Sequence, residues 1–191
     1  MAILTNFGIP AGDTTTAQTL MPKLQYRFRV TFTGLGDSKK GSLITQNVIS
    51  ATRPGVDHDD ITIDAYNSKI RLAGKHMWQD VTVALRDDTN NDVIKAIRSQ
   101  LNKQVNHTSQ VSAEAGENYK FNVKIETLDG THGTSSLDGV IDYWELEGAF
   151  IPSATFGDLN YATSDVVQVS MTIRFDNAIL RTMPNTGSSA N

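Results

Sequence analysis

The chain has 191 residues and no cysteine. A disulfide framework, thiolate chemistry and a structural zinc site of the usual cysteine type are thereby excluded, and the composition fits folding in a reducing cytoplasm. No stretch approaches the roughly 18 consecutive apolar residues of a membrane helix. The opening MAILTNFGIPAGDTTTAQTLM also lacks the basic start and apolar core of a signal peptide, so the sequence reads as neither exported by that route nor membrane-spanning. A basic surplus is missing as well. The formal charge is -4, which argues against tight phosphate-driven binding of nucleic acid, although a net figure leaves room for a local basic patch.

Catalytic signatures are equally scarce. There is no Gly-x-Ser-x-Gly elbow, no phosphate-binding glycine loop and no His-Glu-x-x-His, and His58, His76, His107 and His132 scatter over predicted loops and strand ends. Glu145 and Glu147 share a strand face at a spacing that suits paired acid/base work, but strand alternation places carboxylates this way without any chemistry. Asp57-His58-Asp59-Asp60 is dense in possible metal ligands. It lacks the spaced ligands and fixed glycine of a calcium loop and the second histidine at helical spacing of a catalytic zinc site, so it reads as a solvated acidic loop. Neither an enzyme nor a cofactor or metal site is expected.

What is present is alternation. With 39% hydrophobic and 20% charged residues the composition is that of an ordinary soluble protein, and residues 1–191 read as one domain. Leu24, Tyr26, Phe28, Val30 and Phe32 alternate with polar partners and predict a half-buried strand. A turn from Gly34 to Gly41 follows, then a short return strand from Leu43 to Ile49 that would pair antiparallel with the first. Val93, Ile94, Ile97 and Leu101 fall on one side of a predicted helix over 91–104, with Lys95, Arg98, Asn102 and Lys103 opposite. Three more strands follow a loop over 105–118: one from Tyr119 to Glu126, one from Val140 to Ile151 ended by Pro152, and one from Val167 to Asp176. Lys120, Lys124, Arg27 and Arg29 on these strands read as solvated faces or intersubunit ion pairs. Residues 1–20 form an N-terminal arm and 183–191 a flexible tail. The fold class is mainly β, an antiparallel sandwich or barrel over 24–180 with one packed helix.

The segment from Ile61 to Asp88 organises this pattern. Ile61 and Ile63 alternate with Thr62 and Asp64, Asn67-Ser68 can turn the chain, and Ile70 to Ala73 returns before Gly74, which together predict a hairpin. After Trp78, the residues Val81, Val83 and Leu85 form a core strand that stops at an Asp- and Asn-rich helix start. The Arg53-Pro54-Gly55 turn, Lys69 to Gly74, Trp78-Gln79-Asp80-Val81-Thr82-Val83 and the acidic helix start resemble the tail tube proteins of contractile-tailed, T4-like bacteriophages.

That resemblance implies a structural virion protein whose homohexameric rings stack into the inner tail tube, made in the host cytoplasm. It further implies contacts with the tail sheath protein, baseplate and tape measure protein, and genomic DNA passing through the bore without specific binding. The alternatives are an inner tube of the type VI secretion kind and an unrelated β-sandwich binding module. In the tail tube family the hairpin packs against the next ring. The expected stacking residues here are Arg53, Asp57, Asp59, Asp60, Ile61, Ile63, Tyr66, Lys69, Ile70, Arg71, Leu72 and Lys75, the acidic limb of one subunit meeting the basic limb of its neighbour.

Overall fold

The computed structural model describes residues 22–36, 41–111, 119–130 and 139–183. The expected arm over 1–20, the second half of the 105–118 loop, His132 and the tail beyond Met183 lie outside the described residues. Period-two patterning sets the strands, because successive side chains of an extended chain point to opposite faces. β1 (Phe28–Thr33) buries Val30 and Phe32, β5 (Val81–Arg86) buries Val81, Val83 and Leu85, β6 (Phe121–Leu128) buries Phe121, Val123 and Ile125, and β8 (Gln168–Arg174) buries Val169, Met171 and Ile173. The remaining elements are α1 (Gly41–Gln46), β2 (Val48–Ala51), β3 (Val56–Ala65), β4 (Ser68–Trp78), α2 (Asp92–Gln104), β7 (Val140–Thr155) and β9 (Asn177–Thr182).

The large antiparallel sheet runs β1-β6-β7-β8-β5-β2, with β9 also on β7. The 16-residue β7 serves two layers. Its first half lies between β6 and β9, and its second half pairs with β8. The change of partner falls at Gly148, whose φ of +66° suits glycine and whose missing Cβ leaves room for the Asp176 carboxylate. One core joins the two layers, from Val30, Ile125 and Leu146 to Val83, Met171 and Ile173. α2 closes it with Val93, Ala96 and Ile97. Fully buried Gln100 on the same stripe takes the Gly36 N–H at 3.1 Å and donates to the Tyr119 carbonyl, tying the helix to both flanking loops.

Several expectations need correction. Leu24 and Tyr26 are exposed, and β1 begins only at Phe28, because a turn closed by Arg27 N–H to Leu24 O interrupts the row. The return strand is a short helix, α1, followed by β2. Short apolar runs suit either state, and here Ile44 reaches full burial from a helix. Nor does β1 pair with that segment: its neighbour is β6, while β2 lies on β5. There are thus two helices among the described residues. Pro152 does not end β7. It sits where β7 has one residue more than β8, between the pairs Phe150↔Arg174 and Ser153↔Thr172, and at such a bulge the absent N–H costs no ladder bond. β9 was not expected, since Asn177–Thr182 has one buried alanine and one half-buried isoleucine among exposed residues.

Candidate assembly surface

β3 and β4 form a two-stranded sheet of their own, joined at Tyr66-Asn67. The acidic segment from Asp57 to Asp60 is part of β3, not a loop, because every residue there has a partner on β4 or faces its bulge. That bulge lies between His58↔His76 and Asp60↔Ala73, where β4 has the extra residue, and Gly74 lets the Asp59 carbonyl approach. Residues directly opposite in an antiparallel pair share a face. One face therefore carries Ile61 opposite Leu72 and Ile63 opposite Ile70, with Asp57 and Met77 nearer the base. The other carries Asp60, Thr62 and Asp64 against Ala73, Arg71 and Lys69, then His58 and His76, and finally Val56 and Trp78.

The charges meet within the hairpin. Arg71 lies 3.2 Å from Asp60 and Lys69 lies 3.5 Å from Asp64, so acidic and basic limbs already face each other in one chain. Among the described residues what remains without cover is the apolar row: Ile61, Ile63, Ile70 and Leu72 are each about half exposed, at 49%, 48%, 51% and 48%. Tyr66 at the tip is fully exposed and holds a left-handed backbone with φ of 47°. A positive φ at the first loop residue is what a two-residue hairpin turn requires, and here it is met by a residue other than glycine.

The base of the hairpin is anchored. The Trp78 ring sits 5.9 Å from Phe175 and 6.4 Å from Trp144, and His76 and His58 continue the stack outward at 5.8 and 6.2 Å. Gln79 N–H donates to Gly55 O at 2.8 Å, and its side-chain amide donates to Asp57 at 2.8 Å. Next along, Asp80 receives both arms of the Arg174 guanidinium at 2.9 and 2.7 Å. Those hydrogen bonds hold the Asp80 carboxyl below its ordinary pKa and the charge of Arg174 adds to this, against a smaller opposing effect of burial. Arg53, expected on the hairpin, instead donates to Thr127 Oγ1 at 3.2 Å on the sandwich. Near it, burial pushes Asp142 up, but hydrogen bonds from Lys23 and Thr127 and the charges of Lys23 and Arg53 outweigh it and leave the carboxyl below its usual value.

No protein-family model and no curated protein matches the sequence. Solved structures do match. The tube-terminating cap of the anti-feeding prophage superposes with a TM-score of 0.66 at 19% identity, covering 92% of this chain and 99% of that one. A chain of the sheath-tube complex of an extracellular contractile injection system, PVC, gives 0.62 at 18% identity over 90% and 100%. The SPP1 tail tube gives 0.55 at 12% over 86% and 82%.

The chain has the tail-tube fold.

In this fold the charged strand residues considered for chemistry are held by neighbouring groups of the same chain. Buried Glu126 takes Arg29 at 2.5 Å and Lys124 at 2.7 Å, and Lys124 also lies 4.1 Å over the Tyr143 ring. Lys120 pairs with Asp176, Arg27 donates to the Asp129 carbonyl, Glu145 faces Arg181 at 3.5 Å, and Glu147 accepts from Asn177 at 3.5 Å. These pairs form within one chain. Among the described residues no three His, Asp or Glu side chains converge as a metal site, and no helix is long and apolar enough to cross a membrane. Sequence reasoning missed the amphipathic split of the hairpin below Asp60, where the bulge shifts which β4 residues face Asp57 and His58. Gly74 was the available signal, since an isolated glycine in a strand commonly marks a bulge.

Proposed function

We propose that this chain is the structural subunit of an inner tail tube. Copies close into homohexameric rings, rings stack within a contractile tail, and genomic DNA passes through the bore at ejection without specific binding. On this reading the partners are other copies, the tail sheath protein, the baseplate and the tape measure protein, the place is the virion, and no reaction is catalysed. The observation that carries it is an anchored hairpin with an uncovered apolar row on a chain of tail-tube fold. A monomer gains nothing from such a row, whereas full burial of each of these side chains contributes roughly 1.5 to 3 kcal/mol and is multiplied around a ring. The terminal strands β1 and β2 of the large sheet add two edges that ring closure would cover.

A second reading is the tube of a contractile injection system that is not a phage tail. It is favoured by the higher TM-scores with the anti-feeding prophage cap and the PVC sheath-tube complex, 0.66 and 0.62, than with the SPP1 tail tube, 0.55. Negative-stain microscopy of the purified chain tests both against an unrelated sandwich: rings or tubes are expected, and a chain monodisperse as a monomer at all concentrations sinks both. Nuclease-protected DNA in particles from the source would favour the phage tail.

A further inference from the structure

The fold gives the Asp57 to Asp60 segment a second histidine that its own sequence lacks. His58 of β3 and His76 of β4 stand directly opposite each other in the ladder and therefore share a face. Both are exposed, and their ring centres lie 6.2 Å apart with planes inclined at 48°. His76 in turn meets the Trp78 ring edge-on at 5.8 Å, and Trp78 rests on Phe175 and Trp144, so the aromatic stack at the hairpin base orients this imidazole.

A metal ion lies about 2.0 to 2.1 Å from an imidazole nitrogen, so two imidazoles that share one ion have ring centres about 5 to 6.5 Å apart. The separation of this pair falls in that range. The bulge between His58↔His76 and Asp60↔Ala73 ends the regular ladder beside the pair, and bulges commonly serve to re-aim a side chain. Charge agrees. Asp57, Asp59 and Asp60 lie within two residues of His58, whereas Lys75 is the one charged residue within two of His76. Even with Asp60 answered by Arg71 at 3.2 Å and Asp57 accepting from the Gln79 amide at 2.8 Å, these surroundings favour a cation.

We propose that His58 and His76 form a cross-strand site for one divalent ion of the nickel, copper and zinc class, each imidazole giving one nitrogen and water filling the rest of the shell. Imidazole nitrogen suits these ions, whereas magnesium and calcium seek oxygen ligands. Two protein ligands are fewer than the three or four of a catalytic or structural zinc, so the site is an exchangeable one. Its ion links β3 to β4 where the bulge interrupts their ladder. The site lies within one chain and does not depend on the tube reading.

The chain has two tryptophans, Trp78 and Trp144, and both lie in the stack behind His76, so bound Cu²⁺ reports itself by quenching them. Cu²⁺ titrated into the purified chain at neutral pH should quench tryptophan emission saturably at one ion per chain. EDTA should restore the emission, Zn²⁺ should compete, and binding should fade in acid as protons take the same nitrogens. His58→Gln and His76→Gln, both at exposed positions, should each lose the saturable quench with circular dichroism unchanged, while His107→Gln and His132→Gln should behave as the parent. Absence of a saturable quench in the parent overturns the proposal. So does loss in one of the two hairpin variants alone, which would mean a single imidazole binds unaided, or a quench that survives both, which would place the ion elsewhere. One ion per two chains would mean a bridge between copies and overturns it too. Whether the chain forms rings or tubes is decided separately, by microscopy.

Discussion

The row Val81, Val83, Leu85 in β5 and the row Ile61, Ile63 in β3 are the same pattern in sequence, yet the first is wholly buried and the second half exposed. Their surroundings differ. β5 has β2 and β8 on its two sides and a shared core beneath, whereas among the described residues β3 has only β4 beside it and no layer packed on its apolar face. Alternation thus reports which face is apolar. It does not report what covers that face, and an apolar row left bare on an otherwise well-packed chain points outside the subunit.

The largest test of this comparison removes one of its terms. Replacing residues 57–76 by a short Gly-Ser turn should leave the sandwich folded, with the strand signal of the main sheet retained by circular dichroism, and should abolish stacking outright. Tubes as long as the parent's from this variant would mean that ring-to-ring contact lies elsewhere. A finer test sets single residues of the two rows side by side. Leu85→Ala opens a cavity in a fully buried site and should cost about 2 to 5 kcal/mol in urea unfolding of the subunit. Ile70→Ala trims a side chain already half in water and should cost under about 1 kcal/mol, yet weaken tube assembly more than Leu85→Ala does at temperatures where both are folded. Equal losses of subunit stability from the two would show the hairpin to be folded onto its own body.

Much of this architecture was legible beforehand, and what was not has physical causes. β5, β6 and β8 stand out because each has one face on a core, which forces strict alternation. The stripe of α2 and the turn at Asn67 were legible for similar local reasons, as was the hairpin itself. α1 was not, because Leu43 to Ile49 is too short to separate a helix from a strand by period. β9 was hidden because its Leu180 is exposed and its Arg181 answers Glu145, a match visible only once β7 is beside it. The pairing of β1 with β6, some ninety residues apart, is carried in part by Arg29 and Glu126, and no local pattern announces a partner at that distance. The expected stacking residues split in the same way: the four aliphatic side chains share a face as alternation requires, while Arg53 belongs to the sandwich, where its contact with Thr127 depends on tertiary approach.

The smallest expected effect lies on the boundary between the two regions. Asp80 follows the hairpin directly and Arg174 closes β8, so their paired hydrogen bonds at 2.9 and 2.7 Å link the root of the appendage to the body. Both side chains are partly exposed, at 30% and 58%, and solvent screening keeps such a pair weak. Its pH dependence has a definite sign. A carboxyl held below its ordinary value in the folded state stabilises that state above the unfolded pKa of about 3.9, and this contribution is lost as pH falls through the depressed folded value. Asp80→Asn should therefore unfold at slightly lower urea than the parent at pH 7, with the gap narrowing only below about pH 4. Because the pair holds the root and not the apolar row, tube length at pH 7 should change little. A gap that stays constant from pH 7 into acid would assign the loss to altered packing around Arg174, and shortened tubes with an unchanged unfolding midpoint would show that the aim of the hairpin, set by this pair, limits stacking.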